Sequence, residues 1–133
     1  MAVNTTGNKQ ELEKGIVQTE LLGLTLRYEA QLKRNPNDMA VVGARKAAFD
    51  FAEVLGIPLR KEVLAPRGSV PAKELAERLS LLHREYGERM TESREIGDRR
   101  AIAFYKGKRS ATEEIGSLIE VSFEKEWAVA AQA

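Results

Sequence analysis

The stretch DMAVVGARKAAFDFAEVLGIP, residues 38–58, decides the fold class because it carries both ends of a helix and an apolar face between them. Asp38 is a residue type that caps a helix N-terminus. Gly56 suits the left-handed position that follows a helix, and Ile57 supplies the apolar contact that accompanies it. Pro58 prevents the helix from continuing. The sequence therefore predicts a helix over 39–55.

The regions on either side also favour helices. Upstream, apolar residues recur at helical spacing over 8–34, and Asn35-Pro36 forms a turn before the next helix. Downstream, a long and highly charged third helix is predicted over 72–105, with Ser69 as a possible cap and a bend or break at Gly87 or Gly97.

The fourth helix is predicted to begin at Ser110, because Ser110-Ala-Thr-Glu113 has the form of a capping box. No stretch alternates apolar and polar residues over a strand's length. We therefore expect an all-α fold, a four-helix bundle-like arrangement with a long, highly charged third helix.

Three of the four prolines fall within 58–71, which predicts a connector with one helical turn around 60–64. The connector separates two helical hairpins, 8–57 and 70–131. Each hairpin is short for an independent core, so we expect a single helical domain over 1–133.

Composition excludes several classes of site. The net charge is +1, so no global field indicates a charged partner. The chain contains no cysteine and one histidine, His83, which excludes disulfides, thiolate chemistry and histidine-rich metal sites. His83 is expected to be a partly exposed structural residue. No cofactor, metal or membrane contact is predicted, and the absence of a long apolar run favours a cytoplasmic protein.

Catalysis has little support in the sequence. No glycine-rich phosphate loop is present. Carboxylates cluster at 85–98 (Glu85, Glu88, Glu92, Glu95 and Asp98), but an arginine lies within four residues of each. A solvated charged face explains that pattern better than a general acid–base pair, so no catalytic residue is predicted. An enzyme that uses these carboxylates is the least favoured hypothesis.

Two sets of residues suggest protein interfaces. In the first helix, Gly15, Thr19 and Gly23 repeat every four residues, which would let another helix approach closely. In the third helix, apolar residues recur at alternating spacings of four and three residues and form a coiled-coil-like seam. The pattern does not continue beyond Tyr86. The seam consists of Leu75, Leu79, Leu82 and Tyr86.

The segment 99–109 suggests a nucleic-acid contact, because it holds five basic residues and two aromatics but no acid. The candidate residues are Arg99, Arg100, Phe104, Tyr105, Lys106, Lys108 and Arg109. The alternative is internal electrostatics, in which these cations complement acidic faces and the negative end of the third helix.

The sequence as a whole favours a non-enzymatic helical subunit that acts through protein–protein contacts. We expect a homo-oligomer or a partner protein. The alternative is a helical nucleic-acid-binding module that uses 99–109.

Overall fold

The computed structural model describes residues 11–60 and 66–132, with side chains through Lys125. Four helices pack against one another, which confirms the all-α, bundle-like prediction. The elements in chain order are β1 (Glu11–Glu13), α1 (Lys14–Arg34), α2 (Met39–Leu55), β2 (Ser69–Pro71), α3 (Ala72–Ile96) and α4 (Arg99–Gln132).

Helix α2 has the predicted boundaries and the predicted caps. The Asp38 side chain accepts a hydrogen bond from the Val41 backbone N–H at 3.3 Å. Gly56 adopts a left-handed conformation with φ 68°. The Ile57 N–H donates to the Ala52 carbonyl at 2.9 Å, and the Ile57 side chain is buried. Local signals therefore fixed both ends of this helix.

The third helix breaks at Gly97, one of the two proposed positions, but the start of the fourth helix was predicted incorrectly. Helix α3 ends at Ile96, where Gly97 is left-handed with φ 72°. Asp98 then starts α4, since its side chain accepts from the Ala101 N–H at 3.0 Å. Residues 99–109 are thus the first turns of α4 rather than the end of α3, and Ser110 lies inside a helix instead of capping one.

A short antiparallel pair of strands was not expected. Leu12 in β1 faces Val70 in β2, and both side chains are buried. The Lys14 N–H donates to the Gly68 carbonyl at 2.9 Å, which joins the start of α1 to this pair. Three-residue strands are too short to show a period-two pattern. Ser69 consequently lies in a strand and does not cap α3.

The helix predicted from Asn8 begins at Lys14, because residues 11–13 form β1. Asn8 itself lies outside the described residues. So does most of the helical turn expected around 60–64, since the description omits 61–65.

The two hairpins share one hydrophobic core. The most extensive packing joins α2 to α4, followed by α3 to α4 and α1 to α2. Phe51 of α2 is fully buried at the centre, together with Leu21 of α1, Leu75 of α3 and Ile115 of α4. Leu12 and Val70 close one end of this core from the strands.

Two glycines allow α2 and α4 to cross closely. A Cβ built on Gly43 would overlap the backbone carbonyl of Phe104, and a Cβ built on Gly107 would overlap that of Ala40. Only glycine fits where one backbone touches another in this way. Gly107 therefore serves helix packing and does not break a helix.

Candidate functional site

A buried polar cluster joins three helices at Asp50. The Asp50 Oδ2 atom of α2 accepts hydrogen bonds from Tyr86 Oη of α3 at 2.7 Å and from Lys108 Nζ of α4 at 2.8 Å. Lys46 Nζ, one turn earlier in α2, donates to Oδ1 at 2.6 Å. The side chains of Asp50 and Lys108 are only 18% and 11% exposed, so water screens this ion pair weakly.

Aromatic rings surround the Lys108 ammonium group. Its Nζ atom lies 4.6 Å from the ring centre of Tyr86, 5.1 Å from that of Phe104 and 5.7 Å from that of Tyr105. Phe104 and Tyr105 contact each other edge to face, with ring centres 5.2 Å apart. Rings stabilise a desolvated cation through their negative faces. Lys108 is therefore held by one carboxylate and several rings.

The same contacts shift the pKa values of Asp50 and Tyr86. Burial alone would raise the pKa of Asp50, but hydrogen bonds from Lys108, Lys46 and Tyr86 outweigh it and lower the pKa below 3.8. The pKa of Tyr86 is raised well above its usual range, first by burial and then by its hydrogen bond to Asp50. Asp50 is accordingly ionised and Tyr86 neutral at pH 7.

Beside this cluster lies an open groove of about 540 Å³. Its wall combines acidic, basic and apolar side chains from α2, α3 and α4, among them Glu53, Val54 and Arg89. Both Asp50 oxygens already accept hydrogen bonds from within the protein. These hydrogen bonds therefore lock three helices together and occupy both oxygens of Asp50.

A second polar contact ties α1 to α4. Tyr28 Oη donates to Glu114 Oε1 at 2.5 Å, and Arg27 Nη2 lies 2.7 Å from Glu114 Oε2. Burial, followed by the hydrogen bond to Glu114, raises the pKa of Tyr28 well above its usual range. This contact fixes the outer helix α1 onto the bundle.

The structure distributes the basic segment 99–109 around α4 and does not form one surface from it. Lys108 is buried and paired with Asp50, while Phe104 and Tyr105 are half-buried beside it. Arg100 is exposed, and its Nη2 lies 3.3 Å from Met39 Sδ. The remaining three are exposed: Arg99, Lys106 and Arg109.

The electrostatic alternative is correct for Lys108, which meets the acidic Asp50 on a neighbouring helix. The same alternative is wrong in placing the cations at the negative, C-terminal end of the third helix. Arg99 and Arg100 occupy the first turn of α4, where the helix dipole disfavours positive charge.

Some of the exposed cations gather where α3 and α4 meet. Arg94 of α3 and Lys106 and Arg109 of α4 line a depression of about 350 Å³ that also includes Glu113. Arg109 Nε donates to His83 Nε2 at 3.1 Å, and that histidine nitrogen is 3.4 Å from Glu113 Oε1. His83 is thus partly exposed, as the sequence predicted.

The residues predicted to form interfaces lie in two different environments. In α3, Leu75 and Tyr86 are buried and Leu79 and Leu82 half-buried, so the seam faces this chain's own core. In α1, Thr19 and Gly23 are exposed and Gly15 is half-buried. A Cβ built on Gly23 would meet no atom of residues 11–60 or 66–125 within 4 Å.

The carboxylates of 85–98 lie at the surface. Glu85, Glu88, Glu92, Glu95 and Asp98 are exposed. Asp98 caps α4, and Glu92 pairs with Arg89 at 3.5 Å. Among the residues that the structure describes, no group of three or more acidic or histidine side chains is placed to hold a metal ion. Within the same ranges, no helix is both long and apolar enough to cross a membrane.

The Asp50 cluster was not predicted from the sequence. Its signal was present, since an aspartate in the otherwise apolar stretch Ala47–Ala52 of α2 requires a partner if it is buried. The identity of that partner could not be read, because Tyr86 and Lys108 are distant in sequence. Comparisons of this chain with protein-family models, curated proteins and solved structures found no match.

Proposed function

We propose that the protein is a non-enzymatic helical subunit that acts through protein–protein contacts, within a homo-oligomer or a larger assembly. The observation that carries the proposal is the outer face of α1. This face is defined by residues 15, 19, 22, 23, 26 and 30, which fall within about 100° of arc at 3.6 residues per turn. Its members are Gly15, Thr19, Leu22, Gly23, Leu26 and Ala30.

The outer face of α1 differs from an ordinary solvated helix face because it carries no charge over four turns. The opposite side of α1 already supplies the core with Val17, Leu21 and Leu24. Leu26 on the outer face is 43% exposed, and Leu22 beside it is half-buried. An uncharged surface of this kind on a highly charged chain favours contact with another protein.

Sedimentation measurements over a range of concentrations test this proposal. We expect the wild-type protein to self-associate, or to join a partner, and Leu26→Glu to lose that association because it places a charge on the contact surface. Leu81→Glu is the matched control, since Leu81 is 46% exposed on α3 and lies outside this face. A monomeric wild type without a partner, or equal effects of both variants, would contradict the proposal.

A second candidate function is nucleic-acid binding, which the convergence of Arg94, Lys106 and Arg109 on one depression favours. Such cations contact phosphates, and each contact makes binding weaker as salt rises. Lys108 takes no part in this candidate, because Asp50 holds it.

Fluorescence anisotropy with single-stranded RNA, single-stranded DNA and duplex DNA tests the second candidate. Binding should weaken steeply with salt, and Lys106→Glu with Arg109→Glu should abolish it. Arg78→Glu is the control, because Arg78 is exposed on α3 outside this depression. Unchanged binding by the double variant would reject the depression as the site.

A further inference from the structure

A long groove runs between α3 and α4, and every described residue that lines it belongs to one of these two helices. Three adjoining depressions compose it, and each of them includes Glu113. We call it the α3–α4 groove. It extends along α4 from Lys106 to Phe123, which is about 26 Å at 1.5 Å per residue.

Small side chains line the middle of the α3–α4 groove. Ala76 and Ser80 of α3 face Gly116 of α4 there. Towards Phe123 the lining is apolar and includes Leu75 and Ile119. A helix can settle into such a surface, because small residues let its side chains reach the floor between the two supporting helices.

The outer face of α1 has the length and shape to occupy this groove. It extends from Gly15 to Ala30, or about 23 Å. Its bulky members, Leu22 and Leu26, lie in the C-terminal half, and its small or polar members lie in the N-terminal half. The groove has the same division, with an apolar end at Phe123 and a polar end at Lys106.

Charges at the ends of the two surfaces select one direction. The acidic residues Glu11 and Glu13 precede α1 and are exposed. Arg94, Lys106 and Arg109 outnumber Glu113 at the basic end of the groove.

At the other end of α1, Lys33 and Arg34 are exposed. The apolar end of the groove carries the acidic Glu120. With α1 placed parallel to α4, both ends pair opposite charges, whereas the reverse direction would pair like charges.

From this match we infer that the α3–α4 groove binds α1 of a second copy of the protein. The inference rests on the proposed function and names the partner and the surface. One copy supplies α1 and the other supplies the groove. Because every copy has both surfaces, two copies can exchange them reciprocally, or more copies can close a ring.

Cross-linking tests the inference well, because the chain contains no cysteine. With α1 parallel to α4, Gly23 lies beside Gly116 of the other copy. Within the described part of the chain, a Cβ meets nothing within 4 Å at Gly23 and only Leu79 Cδ1, at 3.9 Å, at Gly116, so both positions accept a cysteine. Gly23→Cys and a tagged Gly116→Cys are mixed and oxidised, and the mixed disulfide is quantified. The control mixes Gly23→Cys with a tagged Leu81→Cys.

We expect the Gly23→Cys and Gly116→Cys pair to form the mixed disulfide at least about tenfold faster than the control pair, since a disulfide requires Cα atoms within about 7 Å. Equal rates in an oligomeric protein, or a predominant disulfide between two Gly23→Cys chains, would overturn the inference and leave the proposed function standing. A monomeric wild type that binds a different protein would likewise overturn the inference alone. A monomer without any partner would overturn both.

A charge exchange gives a second readout. Lys106→Glu should lose self-association by placing a carboxylate beside Glu13 of the other copy. The added change Glu13→Lys should restore it. Failure of the double variant to recover association would contradict the proposed direction of α1.

Discussion

At the scale of single residues, Asp50 has the largest structural role among the charged side chains described above, since it accepts hydrogen bonds from α3, α4 and its own helix. Asp50→Ala would leave Lys108 buried without its carboxylate. We expect a loss of about 3 kcal/mol in the free energy of unfolding, measured by urea denaturation.

Lys46→Ala is the control for Asp50→Ala. It removes a partner of Asp50 whose side chain is 54% exposed, and such exposed pairs contribute less than about 1 kcal/mol. Equal and small losses in both variants would mean that water screens the Asp50–Lys108 pair as it screens a surface pair.

The lowered pKa of Asp50 also predicts that the free energy of unfolding falls at low pH. Because the folded pKa lies below 3.8, the unfolded state binds the proton more readily. The contribution of Asp50 is therefore fully present above the unfolded pKa and is lost as the pH falls through the folded pKa. Asp50→Asn should reduce the fall in stability below about pH 4. An unchanged acid denaturation curve would show that other groups dominate it.

At the scale of elements, the crossing of α2 and α4 depends on glycine. Gly43→Ala or Gly107→Ala would push a methyl group into a facing backbone carbonyl, which cannot move as a flexible side chain can. We expect thermal and urea unfolding to show a loss of about 3 kcal/mol for either variant.

Gly23→Ala is the matched control for these variants, because it also adds one methyl group to a helical glycine. Its methyl group meets no atom of the described residues within 4 Å, so helix propensity should raise stability by up to about 1 kcal/mol. A destabilised Gly23→Ala monomer, or a neutral Gly43→Ala, would contradict this assignment of the tight crossing.

The helix boundaries show where local signals suffice. Helix α2 was predicted to the residue, because Asp38 and Gly56 act on their own backbone neighbours. Gly97 was one of two proposed break points, and its left-handed φ confirms it. Gly107 lies inside α4 and contacts Ala40 of α2, although a glycine required by another helix has the same sequence signal as one that ends a helix.

At the scale of the whole molecule, the two halves share one hydrophobic core. Helix α2 of the first half packs most extensively on α4 of the second, and Phe51 is fully buried. A fragment limited to 11–57 would expose that apolar face of α2 to water. We expect the isolated fragment to lose most of its helical circular dichroism and its cooperative thermal transition, while the full chain retains both. A fragment that unfolds cooperatively by itself would contradict a shared core.

Sequence alone determined the fold class, the ends of α2 and the exclusion of cysteine- and histidine-based sites, since these follow from composition, periodicity and capping within a few residues. Tertiary structure alone decided that Lys108 pairs with Asp50 and that Arg94 lines the same depression as Lys106 and Arg109. It also decided that Gly107 lies where the α4 backbone contacts that of α2. These outcomes depend on which helix faces meet, and residues 58 positions apart in sequence carry no local signal of such a meeting.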